Sequence, residues 1–314
     1  MKLMVDVDTG IDDALALVYL AHLQSQGKVR ILGSSTVGGN VDVAQTTQNT
    51  LRMWEMLGLE VPVAPGATKP LMAELNPAPY VHGDDGLGNT HLPPPRRESA
   101  PESADQMLLR LSEEHAGELT LLTTAPLTNI ALALLRDPGL AKRLQRIVVM
   151  GGAVFTGNVT PVAEANIAND PEAAQIVFEC GAPITLVGLD VTHQTYLEEP
   201  DLAPLEALEN ERSRFLLQII RFISNAYEEL SGWNRCVLHD PLAAAVAVHP
   251  ELVHTERRHV SVETRGEWTR GMTVVDRRGR APLGEANLDV ALEVQAARFK
   301  AELLESLLAW AVLE

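Results

Sequence analysis

The chain has 314 residues, with 25 Lys and Arg against 42 Asp and Glu, a net charge of −17, and 46% hydrophobic and 21% charged side chains. That composition can bury a substantial core and excludes disorder along the whole chain. The acidity excludes the basic footprint that nucleic acid or an anionic membrane surface requires. Two cysteines, Cys180 and Cys236, cannot make a disulfide framework. No apolar run approaches the roughly 20 residues that cross a bilayer. Carboxylates at Asp6 and Asp8 stand where a secretory leader needs its apolar stretch, so the expected location is the cytoplasm.

In chain order, Leu3–Val7 reads as a buried strand. Asp12–Gln26 reads as a helix with Ala14, Leu17, Val18 and Ala21 on one face and Gly27 behind it. Val29–Val37 is a second strand. Tyr80–Pro101 is a long irregular connection: HGDDGLGNTH suits a binding loop, and LPPPRRESAP a solvated excursion. Then come strand Leu119–Thr123, helix Thr128–Leu140, strand Ile147–Met150, helix Pro171–Glu179, strand Ile184–Leu189 and helix Ser213–Glu229. Ala291–Leu313 reads as a terminal helix. This alternation predicts an α/β fold, with an open, mostly parallel central sheet and helices on both faces. No repeat or shift in composition divides it, so residues 1–314 read as one domain. Ligands of such sheets bind beyond the carboxyl ends of the strands.

The first strand ends in Asp6-Val7-Asp8-Thr9-Gly10-Ile11-Asp12-Asp13-Ala14. Helix capping and solvation account for one or two of these aspartates, but poorly for four. Packed together they repel unless some hold protons or a cation neutralises them. A set of oxygen ligands suits a hard cation, Ca²⁺ or Mg²⁺. Two chemistries start from a strand-end DxD. One is a Mg²⁺-dependent phosphatase with an Asp nucleophile, but Gly10 stands at the fifth position of its DxDx[T/V] motif. The other pattern is DxDxGxDDxxA, which Asp6–Ala14 and the residues after it follow. A third possibility is a ligand-binding protein without turnover.

Further motifs follow in order: TVGGNV at Thr36–Val41, HGDDGLG at His82–Gly88, TTAPLTNIA at Thr123–Ala131 and MGG at Met150–Gly152. GNVTPVAEANIANDPEAA at Gly157–Ala174, GLDVTH at Gly188–His193, LHDPLA at Leu238–Ala243 and VETRGEWTRGMTVVD at Val262–Asp276 complete the set. With these motifs in this order, the chain closely resembles the inosine-uridine-preferring nucleoside hydrolases, almost end to end. The resemblance implies a Rossmann-like α/β fold, a tightly held Ca²⁺, hydrolysis of the N-ribosidic bond in nucleoside salvage, and a homodimer or homotetramer.

It also implies roles. Asp8 is a metal ligand and the general base. Asp13, Asp240 and the backbone carbonyl of Thr124 are further ligands, and Asp6 is a supporting residue. Asp12, Asn40 and Asn166 resemble the residues that hold ribose hydroxyls or the attacking water, Asn158 and Glu164 those facing the 5′-hydroxyl, and Met150 lines the sugar pocket. The departing base is a poor leaving group unless protonated. His239, next to Asp240, is the leading candidate acid, and His82 the second. Having both resembles the less base-selective members. Tyr227 and Trp233 are candidate stacking partners for the base, with helix packing the plainer reading for Tyr227. Phe155 reads as core, and Cys236 as a buried, inert thiol. Ala165 replaces an aromatic that the family usually has between its Glu and Asn.

Overall fold

A computed structural model describes residues 1–279 and 282–313. Eight strands form the central sheet. They are β1 (Lys2–Val7), β2 (Arg30–Thr36), β3 (Val63–Pro65), β4 (Leu119–Thr123), β5 (Leu144–Met150), β6 (Ile184–Val187), β7 (Val253–Arg258) and β8 (Leu288–Val294). Their order is β3-β2-β1-β4-β5-β6-β8-β7. All neighbours run parallel except the edge strand β7 against β8. Parallel returns need crossovers, and helices supply most of them. From β1 the chain winds outward to β3, then returns to place β4 on the other side of β1. That reversal opens a crevice at the carboxyl ends of β1 and β4.

The longer helices are α1 (Ile11–Ser25), α2 (Val43–Met56), α3 (Ala104–Glu114), α4 (Thr128–Arg136), α5 (Pro171–Phe178), α6 (Glu211–Ser231), α7 (His239–Val248) and α8 (Ala296–Ala311). Helices α1, α2, α6, α7 and α8 cover one face of the sheet, and α3, α4 and α5 the other. Alternating strand side chains divide between the two cores. Leu3, Val5, Leu122 and Val148 join the first, while Met4, Leu121 and Val149 join the second.

Several expected boundaries move. Asp137-Pro138 ends α4 at Arg136, and a separate turn spans Leu140–Arg143. Leu189 begins a short helix, Leu189–Thr192, instead of finishing β6. The expected terminal helix from Ala291 is corrected at its start: Ala291–Val294 belongs to β8, and α8 begins at Ala296. The run Leu288–Val294 pairs with β6 on one side and β7 on the other, and those two ladders override helix propensity. Phe155 is not core but 70% exposed. Among the described residues no helix is long and apolar enough to cross a membrane.

Helix α1 is buried along most of its length, with Leu20 fully inside. Leu20→Ala is expected to cost about 3 kcal/mol, as large-to-small core changes do. Denaturant unfolding measures it, and a loss under about 1 kcal/mol would contradict the packing described.

Candidate active site

The crevice holds a cleft of about 450 Å³. Its floor begins where β1 stops. Asp12 and Asp13 lie in the first turn of α1, where free N–H groups and the helix dipole favour anions. Asp13 is held from three sides. Its Oδ2 accepts the Gly10 N–H at 2.8 Å and Asn40 Nδ2 at 3.4 Å, and its Oδ1 accepts the Thr124 hydroxyl at 2.7 Å. Asp240 arrives from the first turn of α7. Carboxylate oxygens of Asp12, Asp13 and Asp240 lie within 4.8 Å of one another, and all three residues are buried.

Asp8 sits just past β1. Its Oδ2 accepts the backbone N–H of Asn40 at 2.8 Å. Any side chain on Gly39 would overlap that carboxylate, so only glycine allows the TVGGNV turn to approach so closely. Asp6 points into a separate buried network, accepting Ser35 Oγ at 2.6 Å and Asn129 Nδ2 at 2.8 Å. Asn129 also donates to Thr36 O at 3.0 Å and accepts the Ala67 N–H at 2.9 Å, tying β1, β2 and the loop after β3 together beneath the cleft.

The electrostatics fit a cation. Among the described residues, Asp6 Oδ2, Asp8 Oδ1 and Asp12 Oδ1 are buried without a hydrogen-bond partner. Burial, and then the charge of Asp13, push Asp12 up to about 7. Burial pushes Asp6 up to about 6. Burial and neighbouring aspartates hold Asp8 and Asp240 well above the carboxylate range. Unpaired buried oxygens and crowded like charges are what a hard, oxygen-seeking ion relieves.

The cleft walls collect the remaining candidates. Asn166 Nδ2 donates to the carbonyls of Thr124 at 2.9 Å and Met150 at 3.2 Å, and among the described residues its amide oxygen accepts no hydrogen bond. Met150 ends β5 at the wall. Glu164 lines the cleft but also caps the short helix Ala165–Asn169. Its Oε2 accepts the Gly152 and Ile167 N–H groups at 2.9 and 3.1 Å, and its Oε1 that of Asn166 at 2.9 Å. Asn158, on the exposed loop above, accepts the Ala165 N–H at 3.0 Å. Ala165 itself lines the wall, as do Asn40 and Trp233.

Two buried histidines line the cleft. His82 ends a short helix, Pro79–His82, within the long connection; its Nδ1 accepts the Ile11 N–H at 3.2 Å, and burial lowers it to about 4. His239 opens α7. Its Nε2 shares a hydrogen bond with Tyr227 Oη at 2.8 Å, and its Nδ1 one with Thr192 Oγ1 at 2.8 Å. Burial, then His193 and His82, bring His239 down to about 3, so it is neutral at pH 7. Tyr227 lies on α6 and reaches the cleft wall as well as packing against the core. Cys236 is fully buried, and burial pushes its thiol up. Sequence reasoning missed Thr192, Asn129 and His193 as parts of the site. Their motifs were visible, but their partners lie 47, 123 and 46 residues away.

A family model described as inosine-uridine preferring nucleoside hydrolase matches residues 3–301. The chain belongs to this family. The enzyme is 40% identical over 278 residues to "Probable uridine nucleosidase 1" of Oryza sativa subsp. japonica, covering 88% of this chain and 85% of that one. It is 41% identical over 278 residues to "Pyrimidine-specific ribonucleoside hydrolase RihA" of Salmonella typhimurium, covering 88% of each. A solved structure, the purine-preferring ribonucleoside hydrolase from Gardnerella vaginalis, matches with a TM-score of 0.92 at 35% identity over 99% of both chains. This nucleoside hydrolase is therefore an N-glycosyl hydrolase that cleaves the N-ribosidic bond of ribonucleosides. The phosphatase and non-catalytic readings are not favoured. The family is metal-dependent, in keeping with the acidic cluster.

Stability should report the carboxylate cluster directly. Carboxyls raised in the folded state stabilise below their ordinary value of 3.8, and this is lost as pH rises through about 6 and about 7. Chelator-treated enzyme is therefore expected to show a falling Tm between pH 5 and pH 8. Excess divalent cation should remove most of that fall. A Tm that rises over this interval in chelator would contradict the crowded-carboxylate account.

Proposed function

We propose that residues 1–314 form one hydrolase domain that holds Ca²⁺ and cleaves pyrimidine ribonucleosides, uridine foremost, in cytoplasmic nucleoside salvage. The observation that carries this reading is the cleft's polarity. It opens over converging buried carboxylates, and among the described residues no Lys or Arg side chain lines it. A neutral nucleoside fits such a site, whereas a nucleotide phosphate meets negative charge without a basic clamp. The preference for uridine rests on the relatives named for uridine and pyrimidines. A homodimer or homotetramer is proposed from the family resemblance.

Asp8, Asp13, Asp240 and the Thr124 carbonyl would hold the ion, whose chemistry when bound is to acidify a water and grip ribose hydroxyls. Asp8 has one oxygen anchored by Asn40 and one unpaired, so the unpaired Oδ1 takes the proton from the attacking water. Asp12 and the amide oxygen of Asn166 accept hydrogen bonds from ribose hydroxyls. Asn40 braces Asp8 and Asp13, while Asn158 and Glu164 close the 5′ end. Met150 packs beneath the sugar. Such positioning converts a bimolecular attack into a nearly unimolecular one.

As the bond breaks, the ribose gains oxocarbenium character and the base gains negative charge. His239 and Tyr227 form one hydrogen-bonded unit beside the cleft, and this unit delivers the proton to the base. His239 is neutral at rest, so the unit takes up one proton from solvent before the bond breaks and passes it to the base, while Asp8 later returns the proton of the attacking water to solvent. His82 is the second candidate donor, from the opposite loop. Trp233 stacks on the base.

The test is a panel of uridine, cytidine, inosine and 2′-deoxyuridine, assayed for released sugar with wild-type enzyme and Asp8→Ala. Uridine should give the highest kcat/KM and deoxyuridine at least about 100-fold less, because a grip on the 2′-hydroxyl is lost. Asp8→Ala should lose at least about 1000-fold in kcat. Near-normal turnover by Asp8→Ala, or equal rates on ribo- and deoxyribonucleosides, would refute the assignment.

A further inference from the structure

His193 lies at the mouth of the cleft, next to the two groups assigned to the leaving base. Its ring meets Trp233 edge to face, with centroids 5.4 Å apart and planes at 88°. It meets His239 at 5.6 Å and 62°. The ring is half-buried and lines the cleft. Its backbone N–H is spent on Leu189 O at 3.0 Å, but among the described residues neither ring nitrogen has a hydrogen-bond partner. Two polar side chains on its own segment, Asp190 and Thr192, bond elsewhere. The Asp190 carboxylate accepts the Val154 and Phe155 N–H groups, and Thr192 Oγ1 serves His239.

We infer that His193 reads the nucleobase, its ring offering a hydrogen bond to the polar edge of the base as the base departs. This rests on the hydrolase reading above and adds a residue to it.

The placement is rigid, as a specificity contact requires. Tyr196–Leu197 pairs antiparallel with Cys236–Val237, and the Leu238 N–H bonds to Thr195 O at 2.9 Å. These contacts lock the His193 segment to the segment that carries His239. Arg235 braces the other side, its guanidinium 4.2 Å from the Trp233 ring and 4.3 Å from the Tyr196 ring. The cleft wall is therefore built of rings on these two joined segments, and His193 presents a polar edge that no protein group among the described residues occupies. Burial and then Arg235 lower the imidazole below its ordinary value, so at pH 7 it is neutral, with one donor and one acceptor. Whichever nitrogen faces the base can meet one group on the edge of an oxo-pyrimidine, a C=O by donating or an N–H by accepting. The contact strengthens as charge develops on the leaving base, so it acts on kcat/KM.

His193→Phe keeps a flat ring against Trp233 and His239 but removes both nitrogens. His193→Gln restores a donor and an acceptor. Both variants are assayed on uridine and on 4-nitrophenyl riboside, whose leaving group lacks the N–H and C=O edge. His193→Phe should lower kcat/KM on uridine about tenfold or more and leave nitrophenyl riboside within about twofold. His193→Gln should recover part of the uridine loss. Equal losses on both substrates would mean a structural role and overturn the inference, as would an unchanged uridine rate. If the wild-type enzyme cleaves neither substrate, the hydrolase reading falls and this inference falls with it.

Discussion

Four carboxylates, those of Asp8, Asp12, Asp13 and Asp240, are buried against one another at the end of the first strand. In water their repulsion would be small, but here little solvent screens them. Every nearby device manages that repulsion. The first turn of α1 gives Asp12 and Asp13 a positive end of a helix dipole. Asn40, Gly10 and Thr124 spend their donors on Asp8 and Asp13. Among the described residues three of these and neighbouring carboxylate oxygens are still left without partners, and such a set suits a hard cation. The rest of the cleft, without a Lys or Arg among its described lining residues, suits the neutral ribonucleosides on which a nucleoside hydrolase acts.

The fold makes this crowding possible. Winding from β1 to β3 and back to β4 opens the crevice beside β1, and the loops after β1, β2, β4, β5 and β6 all reach it. Glycine at positions 10 and 39 lets backbones approach the carboxylates and His82 more closely than any side chain permits. Asn129 fastens the layer beneath by bonding Asp6, Thr36 and Ala67 at once. The two chemical ends of the cleft are thus built differently. One end is carboxylate and amide fixed to strand ends, and the other is histidine and aromatic rings held by α6 and the 189–197 segment.

Much of this was legible in the sequence because the relevant signals are local. The strand-end aspartates, the helix after them and the Asp240 neighbour of His239 sit within short motifs. Parallel strands β1, β4 and β6 stand out as apolar runs because they are buried on both faces. Helix α7 was harder to read, since HDPLAAAVAV is apolar all round and carries no amphipathic period. Helix α2 hides in Thr and Gln, its start marked only by the Asp42 cap. The second half of β8, Ala291–Val294, reads as part of the helix after it, because Ala and Leu suit both states until strand pairing decides. Site residues known by long-range contact left no sequence trace of their role. Thr192 acts through His239, Asn129 through Asp6, and His193 through its place between two rings.

The central claim is that buried, proton-holding carboxylates exchange those protons for one hard cation. Calorimetric titration of chelator-treated enzyme with Ca²⁺ at pH 6.5, repeated in buffers of different ionisation enthalpy, tests it most directly. The account predicts one site per chain, with net proton release on binding, seen as an observed enthalpy that varies with the buffer. Absence of a stoichiometric site, or binding whose enthalpy does not depend on the buffer, would contradict it.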